Sequence, residues 1–167
     1  MSEMKFPTEV IELPSKGLVY PKTSPLSSGK VEIKYMTAKE EDILTSPNLI
    51  QQGIALDVLL KSLIVDKSIN LDDMIVGDKN AVLVGARILG YGKNYECTIG
   101  DEEAVIDLTS LKEKWLDSKI LAKQNENEVN YTLPLSKIKI TFKFIDGHME
   151  KDIDTLNQSY EKIGESR

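Results

Sequence analysis

Eight consecutive residues limit the fold of this chain more than any other stretch. From Lys137 to Phe144, the apolar residues Ile138, Ile140, Phe142 and Phe144 alternate with Lys137, Lys139, Thr141 and Lys143. Successive side chains of an extended chain point to opposite faces, whereas a helix would scatter these four apolar residues around its circumference. The run is therefore read as a strand with one apolar face, and a strand needs a partner. The nearest is the alternation of Val129, Tyr131 and Leu133, broken by Pro134 and preceded by the polar turn Asn125-Glu126-Asn127-Glu128. Residues 128–146 thus read as a hairpin. Its outward lysines either form a solvated, edge-protecting face or meet an acidic partner.

A second alternation, Val31, Ile33 and Tyr35 against Lys30, Glu32 and Lys34, predicts a half-buried strand. Ahead of it, Val10, Ile11 and Leu13 lead into the turn Pro14-Ser15-Lys16-Gly17, and Pro21 to Gly29 forms a loop. Behind it the period changes to that of helices. Thr37-Ala38-Lys39-Glu40 has the form of a capping box, which opens a helix from Ala38 to about Thr45, stopped before Pro47. A second helix from about Gly53 to Ile64 should bury Ile54, Val58, Leu59 and Leu63, with part of Leu56, Leu60 and Ile64. Leu71 to Gly77 is a turn into a third helix, with Asp78 as its N-cap, Ala81 to Leu89 as its body and Gly90 as its stop.

Gly90-Tyr91-Gly92-Lys93 superficially resembles a phosphate-cradling loop. Such a loop follows a strand and opens a helix; this one ends a helix and opens a strand. Tyr95 to Thr98 and Ala104 to Asp107 then form a short hairpin around Gly100 to Glu103. Asp107 to Ser110 caps a short helix through Leu111, Trp115 and Leu116. At the C-terminal end, Met149, Ile153, Leu156, Tyr160 and Ile163 step by four, three, four and three. That spacing makes one stripe of an amphipathic helix.

The expected fold is α+β: a small helical cluster packed with a mainly antiparallel sheet, an inserted short hairpin and a C-terminal amphipathic helix. The sheet is expected to unite residues 30–35 and 128–144. Residues 1–147 form the core domain, with 30–91 as strand plus helical part, 92–108 as the hairpin insertion and 128–146 as the second hairpin. Residues 148–167 carry the amphipathic helix.

Composition then narrows the chemistry. One cysteine, Cys97, and one histidine, His148, exclude an intrachain disulfide, a Cys-based zinc cluster and a two-His metal site. No metal and no organic cofactor is expected. The carboxylate runs Glu40-Glu41-Asp42, Asp72-Asp73 and Asp101-Glu102-Glu103 fit exposed helix starts and turns better than a catalytic pair. No catalytic residue is assigned, and an enzyme is not expected. Twenty-one Lys and Arg against 27 Asp and Glu give a formal charge of −6, which argues against a nucleic-acid partner. No apolar run approaches the roughly 20 residues of a membrane span. Met1 to Pro7 contains no apolar signal region, so an intracellular protein is expected.

A series of phrases, read in order, adds a family. They are Phe6-Pro7, Leu13-Pro14-Ser15-Lys16-Gly17 with Tyr20-Pro21, and Val31 to Thr37 followed by the Glu40-Glu41-Asp42 helix. They continue with Asp57-Val58-Leu59-Leu60, Ala86 to Gly92, Tyr95 and Asp107-Leu108, and close with Leu133-Pro134-Leu135-Ser136 and Phe142 to Gly147. The series resembles the T4-type bacteriophage baseplate hub assembly proteins, a family related in pattern to the tail-assembly chaperones of myophages. The likeness spans most of residues 6–150.

The resemblance implies a non-enzymatic late protein that helps build the central hub of a contractile tail. Its partners would be other hub proteins or the tape-measure protein, met in the host cytoplasm during assembly. One alternative is a permanent structural subunit of the virion baseplate; another is a host-directed binding module unrelated to tails. Some relatives carry a Cys-x-x-Cys knuckle between Tyr95 and Asp107. Here Cys97 stands alone, with Gly100 in place of a second cysteine, so no zinc site is carried over. The bare hairpin would then have to hold through packing of Tyr95, Ile99, Val105 and Ile106. The residues singled out for partner binding are Met149, Ile153, Leu156, Tyr160 and Ile163. The alternative is that this stripe packs onto the protein's own sheet.

Overall fold

The structure, a computed structural model, describes residues 7–111 and 127–164, apart from the side chains of 161–163. Among the described residues are five α-helices and three two-stranded antiparallel sheets, so the fold is α+β. β1 (Thr8–Glu12) pairs with β2 (Lys30–Lys34), Thr8 facing Lys34 and Glu12 facing Lys30. The alternation of β2 does what its pattern requires: Val31 and Ile33 are buried while Lys30 and Glu32 are exposed.

The loop between these strands is locked by two glycines that touch. Gly17 and Gly29 have φ of 76° and 70°, and a Cβ on Gly17 would lie 2.3 Å from the Ser27 carbonyl oxygen. No side chain fits there, and left-handed backbone disfavours one in any case. The lock folds Leu13, Val19, Tyr20 and Leu26 back into the core.

α1 (Ala38–Thr45) begins at the expected capping box, where the Thr37 amide donates to the Glu40 carboxylate at 3.0 Å. Pro47 stops this helix and also starts the next, α2 (Pro47–Gln51), because a first-turn proline sacrifices no helical hydrogen bond. α3 (Ala55–Leu63) supplies Leu59, Leu60 and Leu63 to the core. Ile54, expected inside, is the N-cap of α3 and is exposed. α4 (Val76–Tyr91) adds Val82 and Ala86.

Two expectations about α4 are corrected. It starts two residues before Asp78, which therefore sits in the first turn rather than at the cap, and is fully buried. It ends at Tyr91, with Gly92 rather than Gly90 at the C-cap, where φ reaches 81°. The glycines thus end a helix and open a strand, as their context indicated.

β3 (Asn94–Ile99) and β4 (Glu102–Asp107) form the inserted hairpin in the expected place. It does not hold by the packing anticipated for it: Tyr95, Ile99 and Val105 are exposed and only Ile106 is half-buried. A two-stranded ribbon has too little surface to cover itself. Its root is secured instead by the Arg87 guanidinium, stacked 4.9 Å from the Tyr91 ring centre and 5.7 Å from that of Tyr95. Lys93 and Asp107 pair across the base at 2.9 Å. Asp107 caps a 3-10 turn, Leu108–Ser110, by accepting from the Thr109 amide; Trp115 and Leu116 lie outside the described residues.

β5 (Glu128–Thr132) and β6 (Lys139–Lys143) pair as the second hairpin. They do not share a sheet with β2, which corrects the expected union of residues 30–35 and 128–144. One edge of β2 is taken by β1, and its other side meets the end of α3 through an Ile33–Ile64 bridge and a hydrogen bond from the Val65 amide to the Glu32 carbonyl. The hairpin is instead seated by its base, with Val129 buried in the core and Phe144 packed against it. α5 (Gly147–Ile163) follows directly, the amphipathic helix at its expected position.

Candidate partner interface

The orientation of α5 is set where it leaves β6. The Val76 amide donates to the Ile145 carbonyl at 2.9 Å, and Ile75 bridges Asp146. The Asp146 carboxylate accepts from the Met149 amide at 3.0 Å, which caps the first turn. Gly147 is buried against the 3-10 turn Leu71–Asp73, and a Cβ there would lie 2.8 Å from the Asp72 Cα. The helix can approach this closely only because residue 147 has no side chain.

Polar side chains complete the attachment. Lys151 Nζ pairs with Asp72 at 2.6 Å and His148 Nε2 with Asp73 at 3.0 Å. Lys79 on α4 bridges Asp57 of α3 at 2.7 Å and Glu150 of α5 at 3.3 Å. The hydrogen bond from Lys151 is the main reason the Asp72 carboxyl titrates below its ordinary range. Burial alone would lower the Lys79 ammonium, but Asp57 and Glu150 outweigh it and raise it.

These contacts tie the polar side of the helix to the body at its first turns, while Lys151 and Asp154 themselves stay exposed. At about 100° per residue, Gly147, Glu150, Lys151 and Asp154 share one side, and these four residues line the cleft against Leu56, Asp57, Lys79 and Leu83. Met149, Ile153, Leu156 and Tyr160 fall on the opposite side. Ile153, Leu156 and Tyr160 are 44%, 56% and 44% exposed, and Met149 is half-buried. The side chain of Ile163 lies outside the described residues. An ordinary surface helix does the reverse, turning its apolar stripe to the core.

The sequence reading missed a second apolar surface, on the hairpin. Directly opposed residues in an antiparallel pair share a face, so Val129 with Phe142 and Tyr131 with Ile140 form one side. Only Val129 is buried; Tyr131, Ile140 and Phe142 are 51%, 39% and 44% exposed. The other side is polar, with Lys143 paired to Glu128 at 3.0 Å and Thr141 bonded to Asn130 at 2.6 Å. At the tip, Leu135 is 95% exposed and Ile138 is 58% exposed. The alternation itself was the signal, but it marks an apolar face without saying whether that face is covered.

No group of three or more His, Cys, Asp or Glu residues among the described residues could hold a metal ion. Cys97 faces Ala104 across the inserted hairpin, with Gly100 in its turn at φ 65°. No described helix is long and apolar enough to cross a membrane. A groove of about 500 Å³ runs between β1 and α4, lined by Val10, Ile11, Ala81, Val84, Ile88 and Leu108 among others.

The fold and this surface define a class: a small α+β protein that turns the apolar stripe of a helix away from its own body. Comparison with protein-family models, curated proteins and solved structures gives no match.

Proposed function

We propose that the protein is a non-enzymatic phage tail protein that assists assembly of the baseplate central hub, binding a hub or tape-measure subunit through the α5 stripe. The family comes from the ordered sequence phrases that resemble the T4-type hub assembly proteins. The observation that carries the binding role is the apolar stripe of α5, with three large apolar side chains about half exposed while Glu150 and Lys151 on its charged side are tied to the body. Exposed apolar surface in a continuous strip is costly in a free protein and marks a contact site.

The test is a double substitution, Ile153→Asp with Leu156→Asp, in the full chain. Because both side chains are half exposed, each substitution should cost about 0.5 kcal/mol and the pair about 1 kcal/mol of unfolding free energy. Complementation of a phage lacking the protein should fail at hub assembly. Loss of several kcal/mol would return the stripe to the core, and normal assembly would remove its binding role. Mass spectrometry of purified virions separates an assembly factor, absent from particles, from a permanent baseplate subunit.

A further inference from the structure

We infer that the occupant of the α5 stripe is an amphipathic helix of another protein whose apolar seam is bordered by Lys or Arg. This deepens the function proposed above and rests on the stripe being a docking surface. Steps of four and three residues are the spacing of a two-helix seam. By the same spacing, the positions beside the stripe are Glu150 and Asn157 on one side and Asp152 and Ser159 on the other. Lys151 falls at the back, where Asp72 holds it at 2.6 Å. The border therefore carries no base, and its one acid outside the cleft is Asp152, since Glu150 also lines the cleft beside Lys79.

Charges beside a helical seam choose its partner, because opposite signs attract across the border and like signs repel. Glu150 shares Lys79 with Asp57, whereas Asp152 has no ion pair among the described residues and is exposed. A second copy of the chain would bring the same border without a base, on a molecule that already carries a charge of −6. Self-pairing leaves Asp152 unmatched; a basic border matches it.

Two synthetic helical peptides with one identical Leu/Ile seam, one bordered by Lys and the other by Glu, serve as probes. Each is titrated against the full chain by fluorescence anisotropy at low and high salt. The Lys-bordered peptide should bind about tenfold more tightly at low salt, with the gap narrowing as salt screens the border. Asp152→Lys, a change at an exposed position, should erase or reverse the preference. Ile153→Asp with Leu156→Asp should abolish binding of both peptides.

Equal binding, a preference for the Glu border, or no binding of either peptide overturns the inference. So does a concentration-dependent dimer in sedimentation equilibrium that the Ile153/Leu156 variant abolishes, which would make a second copy the occupant. If the peptides fail but the same double variant still blocks hub assembly, the partner's chemistry is wrong and the docking role survives. If the double variant assembles hubs normally, the docking role itself falls.

Discussion

Asp78→Ala should lower the stability of the fold by about 3–5 kcal/mol, read from the shift of a urea unfolding midpoint at unchanged slope. Asp78 is fully buried and accepts three hydrogen bonds: from the Ser15 amide at 2.9 Å, the Ser15 hydroxyl at 2.5 Å and the Tyr20 hydroxyl at 2.6 Å. The donors lie about sixty residues away in sequence, on the loop locked by Gly17 and Gly29, so one carboxyl group ties that loop to α4. Alanine would leave an amide and two hydroxyls without an acceptor in a dry interior, at about 1–3 kcal/mol each before relaxation.

Tyr20→Phe is the control and should cost less, about 1–2 kcal/mol. It removes one donor to Asp78 and the acceptor of the Ile75 amide, but leaves both Ser15 bonds in place. Burial and the adjacent Asp78 both push Tyr20 ionisation far upward, so the hydroxyl keeps its proton as a donor throughout the ordinary pH range. A loss below about 1 kcal/mol for Asp78→Ala would show that the loop and α4 are held by apolar packing alone.

Asp78 also shows where sequence reading stops. An aspartate just ahead of a helical run has the same local pattern whether it caps the helix or accepts from a distant loop. What was legible was local. The alternation of Val31 and Ile33, the Thr37–Glu40 box, both hairpins and the stripe of α5 are each encoded within a few residues, and each is present.

Pairing across the chain was not legible. The strand at residues 30–34 is apolar on one face whichever strand lies beside it, so its pattern could not choose β1 over β6. Nor could periodicity say which side of α5 turns inward. The spacing of Met149, Ile153, Leu156 and Tyr160 tells which residues share a face. The direction of that face is decided by Lys79 on α4, by Asp72, and by the missing side chain of Gly147. Every one of those contacts joins residues distant in sequence.

Glu40 gives a second large effect, and its size depends on pH. Its side chain is fully buried, at the junction of β2, α1 and α3. The carboxylate accepts from Lys34 Nζ at 2.8 Å, the Ser62 hydroxyl at 2.5 Å, the Thr37 amide at 3.0 Å and the Thr37 hydroxyl. Burial pushes its titration upward, but the bonds from Lys34, Ser62 and Thr37 together outweigh burial and hold it well below the usual carboxylate range.

The unfolded chain, with a glutamate near its ordinary value of about 4.3, therefore binds more protons at this position than the fold does. The stabilisation is fully present above that value and is lost as pH falls through it toward the folded value. At neutral pH, Glu40→Gln should cost about 2–4 kcal/mol. That is somewhat less than for a wholly buried pair, because the Lys34 side chain keeps 23% of its exposure and can turn to water.

Asp72 and Asp107 are also held low by lysine and hydroxyl or amide partners, so the parent and the variant will both lose stability in acid. The difference between them isolates Glu40. It should be largest near neutrality and should shrink steadily as pH drops below about 5, with the two urea-derived stability curves converging. Parallel curves across that range would mean that the charge on Glu40 contributes nothing and that the variant's cost is one of shape alone.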